Sequence, residues 1–265
     1  MAPLSTTPRR TSPHPLYRVE IEQAAFNHGF RHANGHADGW LFFRSSEGVP
    51  GEVAMANGLA DDGAPWLLAV EHAGVAEEMR REFADHLAEP APGTMRAAFA
   101  FAEQPAMRRA LSRAWHLANS LPSFPLAQYA ADTAHLGDTE ADRQTRIRIG
   151  QDRFRRALDD YYNGRCPITG ITQREMLRAS HIVPWAECAS DAERLDPHNG
   201  LLLAAHWDAA FDAGLISFDA QGRALFHPDL DPAARTLLLR DDPQPLRLTA
   251  AHHEHLRWHR ERYGF

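Results

Sequence analysis

His181, Asn199, Asp208 and Asp212 lie in that order along one stretch of the chain, and together they have the types and spacing to attack a phosphodiester. Such a reaction needs a base for the proton of the attacking water and a cation against the charge developing on the phosphate. It also needs a group that holds the base still. His181 suits the first part, because an imidazole titrates near neutrality. Asn199 suits the last, since a neutral amide can hydrogen-bond a ring without adding charge. Asp208 and Asp212 are four residues apart, so on a helix they project from one face, one turn from each other. Two carboxylates with no soft ligand beside them favour a hard cation such as Mg²⁺, which keeps several of its waters.

These side chains need elements to aim them. Cys166-Pro-Ile-Thr-Gly170 reads as a tight turn seating a first strand, and Leu177-Arg-Ala-Ser-His181 as that strand, ending at the histidine. A loop broken by Pro184 follows, and Asn199-Gly200 opens a second short strand. A helix carrying the two aspartates comes next, with Gly214 just past its end as a cap. The expected unit is strand, loop, strand, helix.

That unit resembles the HNH nuclease domain, the ββα-metal fold, in a bacterial subgroup similar to restriction endonucleases. The match is carried by Leu-Arg-Ala-Ser-His-Ile-x-Pro-Trp (177–185), Asn-Gly-Leu-Leu-Leu (199–203) and Asp-x-x-Phe-Asp-x-Gly (208–214). It extends from Gln144 to the terminal Leu256-Arg-Trp-His-Arg260 segment and on to Phe265. The resemblance implies that His181 is the general base and Asn199 its support. The family's helix ligand sits nine residues after the asparagine, which here is Asp208, and some relatives place another one turn on, at Asp212. Two positions depart from the commonest pattern. Ser180 stands where an acidic or histidine ligand often precedes the base. The helix ligand is Asp in place of His, which leaves His206 as a competing ligand. The resemblance further implies a divalent metal, Mg²⁺ or Mn²⁺, and double-stranded DNA as substrate, with monomer or homodimer left open. Two other readings stand beside it: a DNA-binding module whose nuclease site has decayed, and a nuclease toxin.

At the level of the whole chain the expectation is an α+β protein of two domains. Residues 1–15 read as a disordered arm and 16–120 as an α+β module that recognises DNA. Residues 121–142, Pro-containing and then acidic, read as a linker, and 143–265 as the nuclease domain. In the module, Trp40-Leu-Phe-Phe43 and Trp66-Leu-Leu-Ala-Val70 read as buried strands, and 76–87 and 105–117 as helices. Trp40, Phe42 and Trp66 read mainly as core, with base stacking as the alternative.

The net charge of −7 argues against a protein coated with phosphate-binding charge, although all 28 cationic side chains are arginine. From Arg143 to Arg165 the local sign reverses, with seven arginines against three aspartates on a helical pattern. Arg146, Arg148, Arg153 and Arg156 there, with Arg178, are the expected phosphate contacts. The terminal histidines from His252 to His259 read as a solvated or DNA-facing helix and not a metal site. Two cysteines exclude a four-cysteine zinc ribbon and a disulfide framework. With no secretory or membrane-spanning run of apolar residues, a cytoplasmic location is expected.

Overall fold

Alternating small and bulky apolar residues dictate the sheet at the centre of the first half of the chain. In the computed structural model, which describes residues 4–5, 8, 14–58 and 66–265, contacts divide the chain into two units, 1–119 and 120–265. Unit 1 holds strands β1 (Leu4–Ser5), β2 (His32–Ala37), β3 (Trp40–Arg44), β4 (Glu52–Asn57), β5 (Trp66–Val70), β6 (Leu87–Glu89) and β7 (Ala97–Phe101). Their order is β1-β6-β7-β5-β4-β3-β2, antiparallel throughout except where β1 lies beside β6. Helices α1 (Pro15–Asn27), α2 (Ala73–Glu82) and α3 (Gln104–Ser120) accompany the sheet.

Every residue of β4, β5 and β7 is buried. The register stacks Ala54, Ala69 and Ala98 on one face and Met55, Leu68 and Phe99 on the other. Burial on both faces removes the polar alternation that would have marked β4 and β7 in the sequence. β3 and β5 coincide with the expected apolar runs, and α2 and α3 with the expected helices. Trp40 and Trp66 are core residues, 3% and 8% exposed, so neither offers an open face for stacking on a base. Part of the expected disordered arm is instead strand: β1 pairs with β6, and Pro8 bridges to Gly58. Residues 1–3, 6–7 and 9–13 lie outside the described residues.

Unit 2 begins where a linker was expected. Residues 123–133 form helix α4, with Pro125 in its first turn, where the missing N–H costs nothing, and with Tyr129 buried. Helix α5 (Glu140–Tyr161) follows, opened by a capping box in which Thr139 and Asp142 bond each other's backbone N–H. Pro and acidic side chains look like a linker in sequence, but here they are the N-terminal signals of two helices.

The hairpin β8 (Leu177–His181) and β9 (Gly200–Ala204) pairs antiparallel, with His181 opposite Gly200 and Ser180 opposite Leu201. The loop between them carries the one-turn helix α6 (Asp191–Arg194). Helix α7 (Ala205–Asp212) runs directly from β9 and ends at Gly214, whose φ is +68°. The N–H of Leu215 reaches the Ala210 carbonyl and that of Gly214 the Phe211 carbonyl, the two bonds of a Schellman cap. Beyond it lie β10 (Ile216–Phe218), β11 (Ala224–Phe226), α8 (Pro232–Leu239) and α9 (Ala250–Tyr263). Phe154, Leu158, Leu201, Leu203, Trp207, Phe211 and Leu256 form the core that locks α5, the hairpin, α7 and α9 together. No helix among the described residues is long and apolar enough to cross a membrane.

The terminal helix corrects the expectation of a solvated or DNA-facing element, because His252 and His259 are fully buried. His259 stacks on Phe211 with ring centroids 4.0 Å apart, and its Nε2–H donates to the Phe211 carbonyl at 3.2 Å. Its Nδ1 pairs with the Ser217 hydroxyl at 3.1 Å. Burial pushes its pKa down to about 4, only partly offset by the Phe211 carbonyl, so the ring is a neutral core residue.

Candidate active site

Adjacent residues on a strand point to opposite faces, and the end of β8 exploits this. Ser180 faces α7, where its hydroxyl donates to Asp212 Oδ1 at 3.2 Å. His181 faces α5, where its ring stacks on Phe154 at 3.6 Å between centroids and meets the edge of Trp185 at 5.7 Å. Its Nε2 lies 2.9 Å from the Arg194 carbonyl oxygen. A carbonyl only accepts, so Nε2 carries the proton and Nδ1 is the basic atom. Nδ1 has no hydrogen-bond partner among the described residues. Burial draws the ring's pKa down to about 4, against the opposing pull of the Arg194 carbonyl, which leaves it neutral at physiological pH.

The sequence expectation had Asn199 bonding the ring, and the structure corrects it. Asn199 is fully buried and its side chain works on the loop. Oδ1 accepts the Val183 N–H at 2.8 Å, and Nδ2 donates to the carbonyls of Val183 (3.3 Å) and Glu193 (3.2 Å) and to Cys188 Sγ (3.3 Å). It thus fixes both ends of the loop that presents the Arg194 carbonyl, and acts on His181 at one remove.

Asp208 and Asp212 share the face of α7 toward Ser180. Burial first, and then the negative charge of Asp212, raise the Asp208 pKa, while the Ser180 hydroxyl and the Arg178 charge oppose this. Burial likewise raises Asp212, with Ser180 opposing. His206 does not join them. It lies two positions from Asp208, on another side of the helix, and its Nε2–H donates to Asp241 Oδ2 at 2.6 Å. The Trp207 indole N–H shares that oxygen at 2.7 Å. His206 is therefore a strut between α7 and the chain after α8 and not a ligand beside the aspartates.

A model of the HNH endonuclease family matches residues 166–219. This segment is an HNH endonuclease domain. The match runs from the turn at Cys166 through the hairpin and α7 to β10, so the HNH domain sits in an α+β chain. No curated protein matches the chain closely enough to count as a relative.

HNH nucleases typically use a divalent metal, and the residues present fit one. Asp208, Asp212 and the Ser180 hydroxyl offer hard oxygen donors, and the surplus negative charge is what a cation would neutralise. Among the described residues no group of three or more His, Cys, Asp or Glu side chains converges to hold a metal. A cation here would thus be held by two carboxylates and complete its shell with water, as Mg²⁺ commonly does.

Outside the matched segment, α5 supports the HNH domain by close approach. A Cβ on Gly150 would lie 2.2 Å from Trp185 Cη2, and one on Gly200 would lie 2.4 Å from Phe154 Cζ. Gly200 is extended, so its lack of a side chain serves contact and not backbone freedom. Gly200→Ala should cost about 1–3 kcal/mol, as overpacking does, and shift the ring on which His181 stacks. Denaturant unfolding alongside cleavage checks this, and an unchanged midpoint would contradict it. Phe154 and Arg194 were missed as site residues because a stacking ring and a backbone carbonyl leave no pattern in sequence.

The five arginines expected at phosphate fall into three groups. Arg146 donates to the Leu136 and Gly137 carbonyls at 2.6 and 2.7 Å, closing the turn between α4 and α5. Arg153 grips Asp132 on α4 through Nε at 2.8 Å and Nη2 at 2.5 Å. Both are structural. Arg148 and Arg156 are exposed and make no hydrogen bond or ion pair among the described residues. Arg178, exposed and near Asp208, uses Nη1 on the carbonyls of Glu175 and Leu177.

Proposed function

We propose that this protein is a metal-dependent endonuclease that hydrolyses double-stranded DNA with His181 as general base. The observation that carries the reading is the His181 ring, held by a carbonyl at Nε2 with Nδ1 open, one residue along β8 from Ser180, whose hydroxyl bonds Asp212 on the helix that also carries Asp208. Nδ1 takes the proton from a water as that water attacks the phosphorus, and the ring becomes imidazolium. The Arg194 carbonyl keeps accepting from Nε2–H and stabilises the cation so formed. Asn199 keeps the loop that supplies this carbonyl in place. Asp208 and Asp212 would hold the divalent cation, Mg²⁺ or Mn²⁺, whose chemistry is to offset charge on the phosphate and the leaving oxygen. Arg178, Arg148 and Arg156 bind flanking phosphates. Restriction of foreign DNA is the role suggested by a nuclease joined to a second unit, by analogy with domain layout.

The test is plasmid cleavage by the purified chain with Mg²⁺, Mn²⁺ or EDTA, on unmodified and cytosine-methylated DNA. Metal-dependent cutting is expected, and a preference between the two DNAs would support restriction. Cutting that survives EDTA, or no cutting together with no divalent-cation binding, would overturn the reading. Arg148→Ala and Arg156→Ala should each weaken DNA binding and lower the slope of log affinity against log salt by about one. Arg153→Ala should leave that slope alone and lower the melting temperature.

A further inference from the structure

The carbonyl that holds His181 belongs to a residue whose own side chain is tied into the same loop. Arg194 ends α6, and its guanidinium is spread over three groups of its own loop. Nε donates to the Trp185 carbonyl at 3.1 Å and Nη2 to the Cys188 carbonyl at 3.2 Å. Nη1 donates to Asp191 Oδ1 at 2.7 Å, and Cζ lies 5.7 Å from the centroid of the Trp185 ring. Its side chain is only 27% exposed. The backbone carbonyl of the same residue accepts from His181 Nε2 at 2.9 Å. A rigid planar fork binding several carbonyls in fixed directions leaves its own main chain little freedom, and lysine cannot reproduce that geometry.

We propose that Arg194 is a positioning residue for the nuclease reaction: its guanidinium locks the 185–194 loop so that its carbonyl selects the His181 tautomer with Nδ1 basic. The proposal rests on His181 being the base, but its first consequence does not. Free in solution, an imidazole distributes its proton between both nitrogens. Here only Nε2 has an acceptor, so the clamp determines which nitrogen is left to work. Trp185 is shared by both halves of the device, since its ring stands perpendicular to that of His181 and its carbonyl takes the Arg194 Nε–H. The bonds from Asn199 to Val183 and Glu193 secure the loop from inside, and Arg194 secures it from the solvent side.

The experiment records nitrogen-15 spectra of His181 in the full chain, with His181→Gln to assign its signals. Wild type should show one tautomer, protonated at Nε2, at neutral pH. Arg194→Ala should show both, and Arg194→Lys an intermediate mixture if it folds better. Cleavage measured in parallel should lose about 10- to 100-fold in kcat, the scale of a base displaced by about 1 Å, with KM and its salt dependence unchanged. A single Nε2–H tautomer in both folded variants would overturn the proposal. So would a loss confined to KM and salt slope, which would make Arg194 a phosphate contact. If the tautomer shifts as expected but His181→Ala cuts DNA normally, the clamp on the tautomer stands, while its part in the reaction falls together with the general-base reading.

Discussion

His181→Ala should lower the cleavage rate by about 10²- to 10⁴-fold, the usual contribution of a positioned general base, while far-ultraviolet circular dichroism stays that of the wild type. The ring stacks on Phe154 and touches Trp185, so its removal leaves a gap at the hairpin end, but the other side chains of this core remain in place. Added imidazole should restore part of the rate in the variant, because a small base can enter the vacated space. The pH profile gives an independent check. Burial holds the His181 pKa at about 4, so the proton-accepting form is present throughout the range from pH 5 to 8. The profile of kcat/KM reports the free enzyme and should have no inflection near 6.5, where an exposed histidine titrates. Full activity in the alanine variant would remove His181 from the mechanism, and an inflection near 6.5 that vanished in that variant would show that burial does not hold its pKa down.

Asp208→Asn and Asp212→Asn should abolish metal-dependent cleavage and at the same time make the metal-free protein more stable. The second effect follows from the direction of the pKa shifts. Burial and the neighbouring charge raise the folded-state pKa of Asp208, and burial raises that of Asp212, above the unfolded values. The folded protein therefore holds protons that the unfolded chain has released, and stability falls as pH rises through this window. Above that window the charged groups are unfavourably placed, so an uncharged amide at either position should raise the melting temperature of the metal-free protein. Below the ordinary aspartate pKa of about 3.9 the gain should vanish, since the wild-type groups are then protonated in both states. Metal reverses the order. A cation at about 100 times its dissociation constant stabilises the wild type by about 2.7 kcal/mol, and neither variant should show that shift. Thermal melts with EDTA and with Mg²⁺ or Mn²⁺ measure both effects. Variants that are less stable without metal, or that keep the full metal-induced shift, would place the cation elsewhere.

This trade is typical of a working site. Two carboxylates turned toward one hydroxyl, with the Arg178 charge opposing only weakly at Asp208, are a poor arrangement for stability alone. The buried histidines make a useful contrast. His259 has much the same depressed pKa as His181, yet both of its ring nitrogens are bonded, to Phe211 and Ser217, and no atom is left to react. The open Nδ1, more than the pKa, separates a base from a core residue.

Residue spacing alone reveals the strand–loop–strand–helix order, the position of His181 at a strand end, the shared face of Asp208 and Asp212 and the cap at Gly214. All of these follow from spacing within a few residues, where backbone geometry fixes direction. Which groups the site keeps and which the fold consumes depends on packing between distant segments. Arg146 and Arg153 carry the same charge as Arg148 and Arg156, but their guanidinium groups are taken by carbonyls and by Asp132. His206 competes with Asp208 for metal on residue type alone, but Asp241, 35 residues on, takes its Nε2–H. Asn199 was assigned to the ring it does not touch, because the acceptor that holds His181 is a backbone carbonyl 13 residues away. Every residue has such a carbonyl, so its type says nothing about where that oxygen points. That direction is set by packing between segments distant in the chain, which residue spacing along one stretch does not encode.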